Sequence, residues 1–178
     1  MYTLKYMRSV WDFNENKNYI TVNDYKVINS SNSNLTSLML RKIDILVLKL
    51  QLLLINSGIV KHDIYLNLLA SVPHFFQEMQ LIKDQGSIKF NGLNKPKDVY
   101  LSNQISIGDD KKLRSRHRRI FLTLKTRNGK LKTLNQLKPL IAHELTHTAL
   151  NHVTWKDDNH SSLFNKYNKI ILRYLKEI

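Results

Sequence analysis

The spacing of apolar residues predicts a long helix over residues 35–55. Apolar side chains recur there every three or four positions, which is the period of one helix face. These positions are Leu35, Met39, Ile43, Leu46, Leu50 and Leu53. Residues 32–34 (Asn-Ser-Asn) offer an N-cap at the start of the segment, Gly58 follows it as a stop, and charged residues interrupt it. We therefore expect a central core helix and not a membrane-spanning one.

The chain before this helix is polar and rich in asparagine. We expect residues 1–32 to form an N-terminal segment and residues 33–178 to form the main domain. Within the N-terminal segment, residues 19–22 and 25–28 alternate in polarity around an Asn-Asp pair, a pattern that predicts a small hairpin. The length of 178 residues suits one globular domain, and no repeat or long linker divides it.

Helices and strands are both predicted after the core helix. A short helix is expected over 63–69, and Pro73 is expected to open another that runs to Ile82. Residues that favour β structure predict strands at 87–90, 99–102 and 119–126. Further helices are predicted from about 134 or 139 to 151 and from about 161 to 176, since a proline such as Pro139 favours the first turn of a helix. This mixture predicts an α+β fold in which a small mixed β-sheet packs on the long helix.

The composition excludes several classes of protein. The chain has no cysteine, so it has no disulfide, thiolate metal site or cysteine nucleophile, and any metal must be held by His, Asp or Glu. No apolar segment with a cleavage site follows Met1, which predicts an intracellular protein of the cytoplasm or nucleus. We expect a monomer with no membrane partner.

A local cluster of arginines stands out from a generally basic composition. The net charge is +14, but 20 Lys and 18 Asn are what an AT-rich genome produces in any protein. Base composition does not explain why four of the eight Arg lie together between positions 114 and 119, and residues 111–132 contain ten Lys and Arg and no acid. The candidate contacts to nucleic-acid phosphates are Lys111, Lys112, Arg114, Arg116, Arg118 and Arg119. The alternative is a solvated basic strand and loop.

His143, Glu144 and His147 form an H-E-x-x-H sequence on a predicted helix, named here the motif helix. Residues four apart in a helix lie one turn apart on nearly the same face, so the two imidazoles can bind one metal ion. Glu144 points to the side, where it can accept a proton from a metal-bound water instead of binding the metal. The pattern predicts a zinc hydrolase, and a surface helix with two ordinary histidines is the alternative.

A catalytic zinc site needs a third protein ligand, and the sequence offers two candidates. A third histidine six residues after His147 is missing, because that position is Val153. His152 lies about 140° around an ideal helix from His147 and could bind only if the helix ended early. His160 follows a polar turn that can bring it back to the helix, and it is the preferred third ligand.

The motif and the sequence after it resemble the WLM and SprT-like (Spartan-type) zinc metallopeptidases. Residues 140–147 read Leu-Ile-Ala-His-Glu-Leu-Thr-His and residues 160–164 read His-Ser-Ser-Leu-Phe, which matches H-E-x-x-H followed by H-x-x-x-F. A predicted strand and an Asn-Gly turn at 128–129 precede the motif, as in WLM domains. The resemblance covers about 119–168. It departs from the family pattern at Ser161, where glycine is common, and in a longer loop before the third histidine.

The resemblance implies a zincin-like single domain in which the sheet packs on the long helix, the motif helix and a C-terminal helix. It implies that His143, His147 and His160 bind one Zn²⁺ and that Glu144 is the general base in peptide hydrolysis. It also implies that one strand pairs with an extended protein substrate. The residues of that strand are Phe121, Leu122, Thr123 and Leu124.

In the DNA-repair members of this family, DNA binding selects the substrates, and the basic cluster lies directly before the expected substrate strand. We therefore expect an endopeptidase that acts on DNA-bound or DNA-crosslinked proteins. Two alternatives stay open: a zinc peptidase with no nucleic-acid role, and a non-catalytic nucleic-acid-binding protein with a structural zinc. The chain resembles a bare catalytic core of the kind that viruses and phages encode. Tyr167 and Tyr174 are both candidates to stabilise the oxyanion, and core packing, which their helical spacing also suits, is the alternative.

Overall fold

The computed structural model describes residues 18–79, 82–83, 89–90, 92–96, 118–152 and 160–178. Within these ranges the chain has an α+β fold, as the sequence predicts. Its strands are β1 (Tyr19–Val22), β2 (Tyr25–Ile28), β3 (His74–Glu78), β4 (Ile82–Lys83), β5 (Lys89–Phe90), β6 (Gly92–Pro96) and β7 (Arg118–Leu122). Its helices are α1 (Ser33–Asn56), α2 (Ile64–Ser71), α3 (Leu134–Ala149) and α4 (Ser162–Glu177), with a 3₁₀ turn at Ile59–Lys61.

The N-terminal hairpin forms as predicted, with β1 and β2 paired antiparallel along their whole length. Asn23 and Asp24 have positive φ angles of 49° and 70°, the conformation that a two-residue turn between twisted strands requires. The Tyr25 hydroxyl donates to Asp44 Oδ2 on α1 at 2.9 Å, and Val27 is fully buried. The hairpin therefore packs into the same core as the main helix.

Helix α1 is the predicted core helix, and it begins two residues earlier and ends one residue later than expected. Residues with no exposed surface mark its inner face: Leu40, Ile43, Leu50 and Leu54. After the helix the chain turns through Gly58, whose φ of 75° favours glycine. In the parts of the chain that the structure describes, no helix combines the length and apolar composition needed to cross a bilayer.

The prediction of a helix from Pro73 to Ile82 is wrong, because residues His74–Glu78 form strand β3. Helix α2 has ended by Val72, which is extended at φ −92° and ψ 126°. The Gln51 side chain on α1 donates to the carbonyls of Leu69 and Val72 at 3.0 and 2.7 Å, which satisfies acceptors at the end of α2. The segment then gains its backbone hydrogen bonds by pairing with β7, a partner distant in sequence that periodicity cannot reveal.

Three of the described strands form a mixed sheet in the order β3-β7-β6. β7 lies in the middle, parallel to β3 and antiparallel to β6. The sequence does not predict β6, since Gly92, Asn94 and Pro96 are typical of turns, yet the segment pairs with β7 along its length. Of the strand expected at 87–90, residues 89–90 form β5, which pairs with β4, and residues 87–88 lie outside the described residues. The strand expected at 99–102 lies outside the described residues.

Helices α3 and α4 pack against each other, and α3 also contacts β6 and β7. A capping box starts α3: the Thr133 side chain accepts from Gln136 N at 3.2 Å, and Gln136 Oε1 accepts from Thr133 N at 2.9 Å. The helix accommodates Pro139 in its interior. Residues that α3 and α4 bury in the common core include Ile141, Leu145, Ile171 and Leu175. The core thus joins the motif helix to the sheet and to the C-terminal helix.

Candidate metal centre

Three histidine side chains converge beside the C-terminal half of α3. His143 and His147 lie one turn apart on α3, and His160 lies just before α4. One possible ligand atom from each ring lies within 4.8 Å of the others, and the ring centroids are 4.7 to 5.5 Å apart. In the part of the chain that the structure describes, these three form the candidate metal-binding group. The fold therefore brings together the expected ligand residues.

The position of His160 follows from the way α4 begins. Ser161 is the N-cap, with extended backbone angles (φ −64°, ψ 175°), and its Oγ accepts from Phe164 N at 3.2 Å. This cap sets the direction of the chain at His160. His160 is exposed, whereas His147 is buried and His143 is half-buried. The group is therefore open to solvent on the side of His160, as a site that admits a substrate requires.

Phe164 provides an apolar contact surface for all three imidazoles. Its ring centroid lies 5.0 Å from that of His143, 4.8 Å from His147 and 4.7 Å from His160. Its side chain is almost fully buried. Such packing restricts the rotamers of the rings that it touches. The phenylalanine of the H-x-x-x-F pattern thus has a physical role that the sequence does not indicate.

The environment of the two helix histidines favours their neutral forms. Burial lowers the pKa of His143 to about 4, and the neighbouring His160 adds to this effect. Burial also lowers the pKa of His147 to about 2, with further contributions from the adjacent histidines and Arg118. A neutral imidazole offers a nitrogen lone pair to a metal without first losing a proton. Nitrogen donors of this kind fit Zn²⁺, and also Co²⁺, better than Mg²⁺ or Ca²⁺.

Glu144 is buried and is not one of the three converging groups. Its carboxylate lies against Gly92 of β6: a methyl group added at Gly92 would lie 2.9 Å from Glu144 Cδ and nearer still to Oε1. Asn94, two residues further along β6, donates to the backbone carbonyl of Glu144 and to Thr148 Oγ1, the latter at 2.7 Å. Strand β6 therefore runs along the side of the motif helix that bears the carboxylate.

His74 on β3 contacts the same threonine. Its Nε2 lies 3.0 Å from Thr148 Oγ1. Asn94 already donates to the hydroxyl oxygen of Thr148. The hydroxyl proton of Thr148 can therefore be donated to His74 Nε2. Burial, and then the charge of Arg118, lowers the pKa of His74 to about 3, in keeping with a neutral acceptor. Spacing along the sequence gives no sign of this cluster, because its members come from three separate elements.

The strand expected to pair with substrate lies in the centre of the described sheet at Phe121 and Leu122, and Thr123 and Leu124 follow the end of β7. Both sides of β7 are occupied, by β3 and by β6. The expected residues are all buried: Phe121, Leu122, Thr123 and Leu124. In the described sheet the outer strand beside the motif helix is β6, where Gly92 pairs with Leu122. Alternating polarity shows that one face of a strand is covered, but it cannot distinguish a central strand from an edge strand.

The basic cluster predicted to contact nucleic acid is only partly described. The residues outside the described ranges are Lys111, Lys112, Arg114 and Arg116. Arg118 has no exposed surface, so the expectation that it contacts phosphates is wrong. Arg119 is half-buried, donates to Gln77 Oε1 at 3.2 Å and lies 5.3 Å from the centroid of the Phe121 ring. Its side chain is therefore held against the sheet.

His152, the alternative third ligand, contacts Nδ1 of His147 and is not part of the candidate metal-binding group. The Nδ1 atoms of the two rings lie 2.7 Å apart. The motif helix does end early, at Ala149, so the condition for bringing His152 close to His147 is met. The ring of His152 thus contacts Nδ1 of His147, which leaves Nε2 of His147 as its second possible ligand atom. The sequence indicates that this contact is possible but not which nitrogen it involves.

The tyrosine candidates for oxyanion stabilisation occupy other environments. Tyr167 is buried, and its hydroxyl donates to Asp63 Oδ2 at 2.8 Å. Burial and this hydrogen bond raise the pKa of Tyr167 to about 12. Its ring packs on Tyr65, with centroids 4.8 Å apart, between α2 and α4. Tyr174 is half-buried against the core. Tyr167 therefore has a structural role.

Comparison with known proteins identifies no relative from which a function could be inferred. The chain matches no protein-family model, no curated protein and no solved structure. The function must therefore be argued from the geometry and chemistry of the metal-binding group and its neighbours.

Proposed function

We propose that this chain is a zinc-dependent endopeptidase similar to the WLM and SprT-like zinc metallopeptidases. The observation that carries the proposal is the convergence of His143, His147 and His160, with Glu144 next to His143 on the same helix. Three histidines with one open position are a donor set of catalytic zinc, whereas a structural zinc requires a fourth protein ligand. His152, the nearest further histidine in sequence, contacts Nδ1 of His147 and is not part of the converging group. This arrangement supports a catalytic site over a structural one.

The residues of the site have separate roles in this proposal. His143, His147 and His160 would hold Zn²⁺, which when bound supplies a Lewis acid that polarises a peptide carbonyl and activates water. Glu144 accepts a proton from the attacking water at a carboxylate oxygen and passes it to the nitrogen of the leaving amine. Its contact with Gly92 restricts the carboxylate to the side of α3 that faces β6. Such restriction favours a productive geometry.

An extended substrate would lie along β6 in this proposal. β6 is the outer strand of the described sheet, and its residues Gly92 and Asn94 contact Glu144. A peptide that added to this edge would form hydrogen bonds with the main chain and would need little particular sequence. It would also bring a peptide bond to the side of the motif helix that carries the general base.

The proposal includes substrates that are bound or crosslinked to DNA. Its support among the described residues is the basic stripe of α4, which consists of the exposed Lys166, Lys169, Arg173 and Lys176. Spacings of three, four and three residues place these cations on one helix face. The stripe begins six residues after His160 and offers a surface to which a polyanion could bind. The burial of Arg118 favours the second candidate, a zinc peptidase with no nucleic-acid role.

A cleavage assay tests the proposal. Zinc-loaded protein is incubated with a histone, with and without single-stranded DNA, and the fragments are followed on a gel beside Glu144→Gln. We expect fragments from the unmodified chain and none from the variant. Fragments that require DNA would support the DNA-linked function, and fragments that form equally without DNA would support the second candidate. An absence of cleavage despite bound zinc would contradict both.

A further inference from the structure

The end of the motif helix brings His152 back toward His147. Leu150 N donates to Thr146 O at 3.0 Å, and His152 N donates to His147 O at 3.0 Å. Between them Asn151 adopts a left-handed conformation with φ of 56°, which asparagine tolerates at helix ends. The reversal places the rings of His147 and His152 side by side, with centroids 5.0 Å apart.

Arg118 holds the two residues that make this reversal. Its side chain is fully buried, and Nη1 donates to the His152 carbonyl while Nη2 donates to Asn151 Oδ1 at 3.3 Å. Its own backbone N–H donates to Pro73 O at 3.0 Å, which ties Arg118 to the start of β3. A planar guanidinium can reach two acceptors at once, so it can clamp the Asn151–His152 segment to the sheet.

The contact between the two rings determines which nitrogen of His147 is available. A hydrogen bond between the Nδ1 atoms requires one ring to donate and the other to accept. If His147 binds a metal through Nε2, it carries its proton on Nδ1, so His147 is the donor and His152 the acceptor. The bond then fixes both the tautomer and the orientation of the His147 ring. Partners of this kind commonly orient the histidines that bind metals.

We propose that His152 and Arg118 are positioning residues of the metal centre. Arg118 fixes the backbone of residues 151–152, and through it the His152 ring holds His147 with Nε2 toward His143 and His160. The inference rests on the proposed function for the identity of the metal, but its geometry concerns only residues of this chain. It assigns to Arg118 a role inside the protein in place of the phosphate contact that the sequence suggests.

Zinc affinity of the full-length chain tests the role of His152. We expect His152→Ala to weaken zinc binding by about 10 to 100-fold, the usual effect of removing a partner of a metal-binding histidine. His152→Asn should recover much of the affinity, because its short amide places a polar atom near the position of Nδ1. Affinity is measured by competition with a chromophoric chelator. Zinc affinity in His152→Ala equal to that of the unmodified chain would overturn the proposal.

Cobalt substitution distinguishes a positioning residue from a ligand. With Co²⁺ in place of zinc, the absorption bands should keep their positions and intensities in His152→Ala, because the three coordinating histidines are unchanged. The bands should change in His160→Ala. A change in the His152→Ala spectrum like that in His160→Ala would make His152 a ligand and overturn the proposal. Circular dichroism of the metal-free proteins shows whether each variant is folded.

A double-mutant cycle tests whether Arg118 acts through His152. Arg118→Lys keeps the charge but replaces the planar fork by a single amine, so we expect weaker zinc binding than in the unmodified chain. Combined with His152→Ala, Arg118→Lys should cause no further loss, because its effect passes through the missing ring. Losses that add would show that Arg118 acts independently and would overturn its part of the proposal.

Nitrogen NMR of the metal-free chain, labelled with ¹⁵N-histidine, tests the tautomer directly. We expect His147 to be protonated on Nδ1 in the unmodified chain and to exchange between tautomers in His152→Ala. A His147 protonated on Nε2 in the unmodified chain would overturn the proposal even if no zinc were bound. A chain that shows the expected tautomer and zinc affinities but cleaves no protein would contradict the proposed function alone.

Discussion

The carboxylate of Glu144 lies so close to the Cα of Gly92 that a methyl group on Gly92 would come within 2.9 Å of Glu144 Cδ. Gly92 has no left-handed φ angle, so the glycine is needed here for space and not for backbone conformation. Asn94 on the same strand donates to the carbonyl of Glu144. Strand β6 thus determines where the proposed general base can lie.

Gly92→Ala is expected to lower kcat/KM on the order of 100-fold, because it displaces the Glu144 carboxylate by a fraction of its own length. Zinc affinity should stay unchanged, since the three atoms nearest to the added methyl group belong to Glu144 and Leu140 and not to a proposed zinc ligand. Kinetics on a fluorogenic peptide and chelator competition measure the two quantities. Equal activity of Gly92→Ala and the unmodified chain would show that the carboxylate can move without loss.

Glu144→Gln is expected to lower kcat by about 10² to 10⁴-fold, the range that general acid–base groups contribute. The amide fills the same space but cannot accept the proton. Zinc affinity should remain, whereas His143→Ala and His160→Ala should lose zinc and activity together. Zinc content by atomic absorption and kcat are measured on the same preparations. A strong loss of zinc in Glu144→Gln would indicate that Glu144 is a ligand.

Phe164→Ala is expected to destabilise the chain by about 3 to 5 kcal/mol and to weaken zinc binding, because all three imidazoles lose a packing surface. Leu175→Ala is a matched control: it removes a fully buried residue of the same helix, at a cost of about 2 to 5 kcal/mol, without touching the histidines. Urea unfolding gives the free energies of unfolding, and chelator competition gives the affinities. Similar zinc affinities in the two variants would contradict a specific role for Phe164.

The metal-free chain is expected to lose stability as the pH falls from about 6.5 to about 4. The pKa values of His143 and His74 are lowered from 6.5 to about 4 and about 3 in the folded state. The unfolded state therefore binds more protons in this interval, and the free energy of unfolding rises with pH until it levels off above about 6.5.

Urea unfolding at a series of pH values measures this slope. His74→Gln should flatten it, whereas His62→Gln, which changes an exposed histidine away from the site, serves as the control. Stability that did not change across this interval would contradict burial of these histidines in neutral form.

Replacing the basic stripe of α4 tests the link to DNA. Changing Lys166, Lys169, Arg173 and Lys176 to glutamine should weaken binding to single-stranded DNA and reduce the salt dependence of that binding. Cleavage of a short peptide should not change. The matched control replaces one arginine and three lysines elsewhere on the surface: Arg41, Lys42, Lys49 and Lys61. Equal losses in the two variants would mean that only net charge matters.

The sequence by itself determined the elements that depend on neighbours in the chain. Periodicity located α1, the Asn-Asp pair located the hairpin turn, and the H-E-x-x-H spacing placed His143 and His147 on one helix face. These features depend on interactions between residues a few positions apart, which a linear pattern records. His160 was also identified, because few other residues of suitable chemistry follow the motif.

Only the tertiary structure decided which strand lies beside the proposed general base and which residues contact the proposed ligands. The segments that begin at His74 and at Gly92 form strands because they pair with β7. The same pairing placed β7 in the centre of the sheet, and the fold buried Arg118 beneath the end of the motif helix. Backbone pairing and burial join residues far apart in sequence, so their partners cannot be read from local spacing. The H-E-x-x-H motif therefore indicated the proposed metal chemistry, and the fold decided which residues surround it.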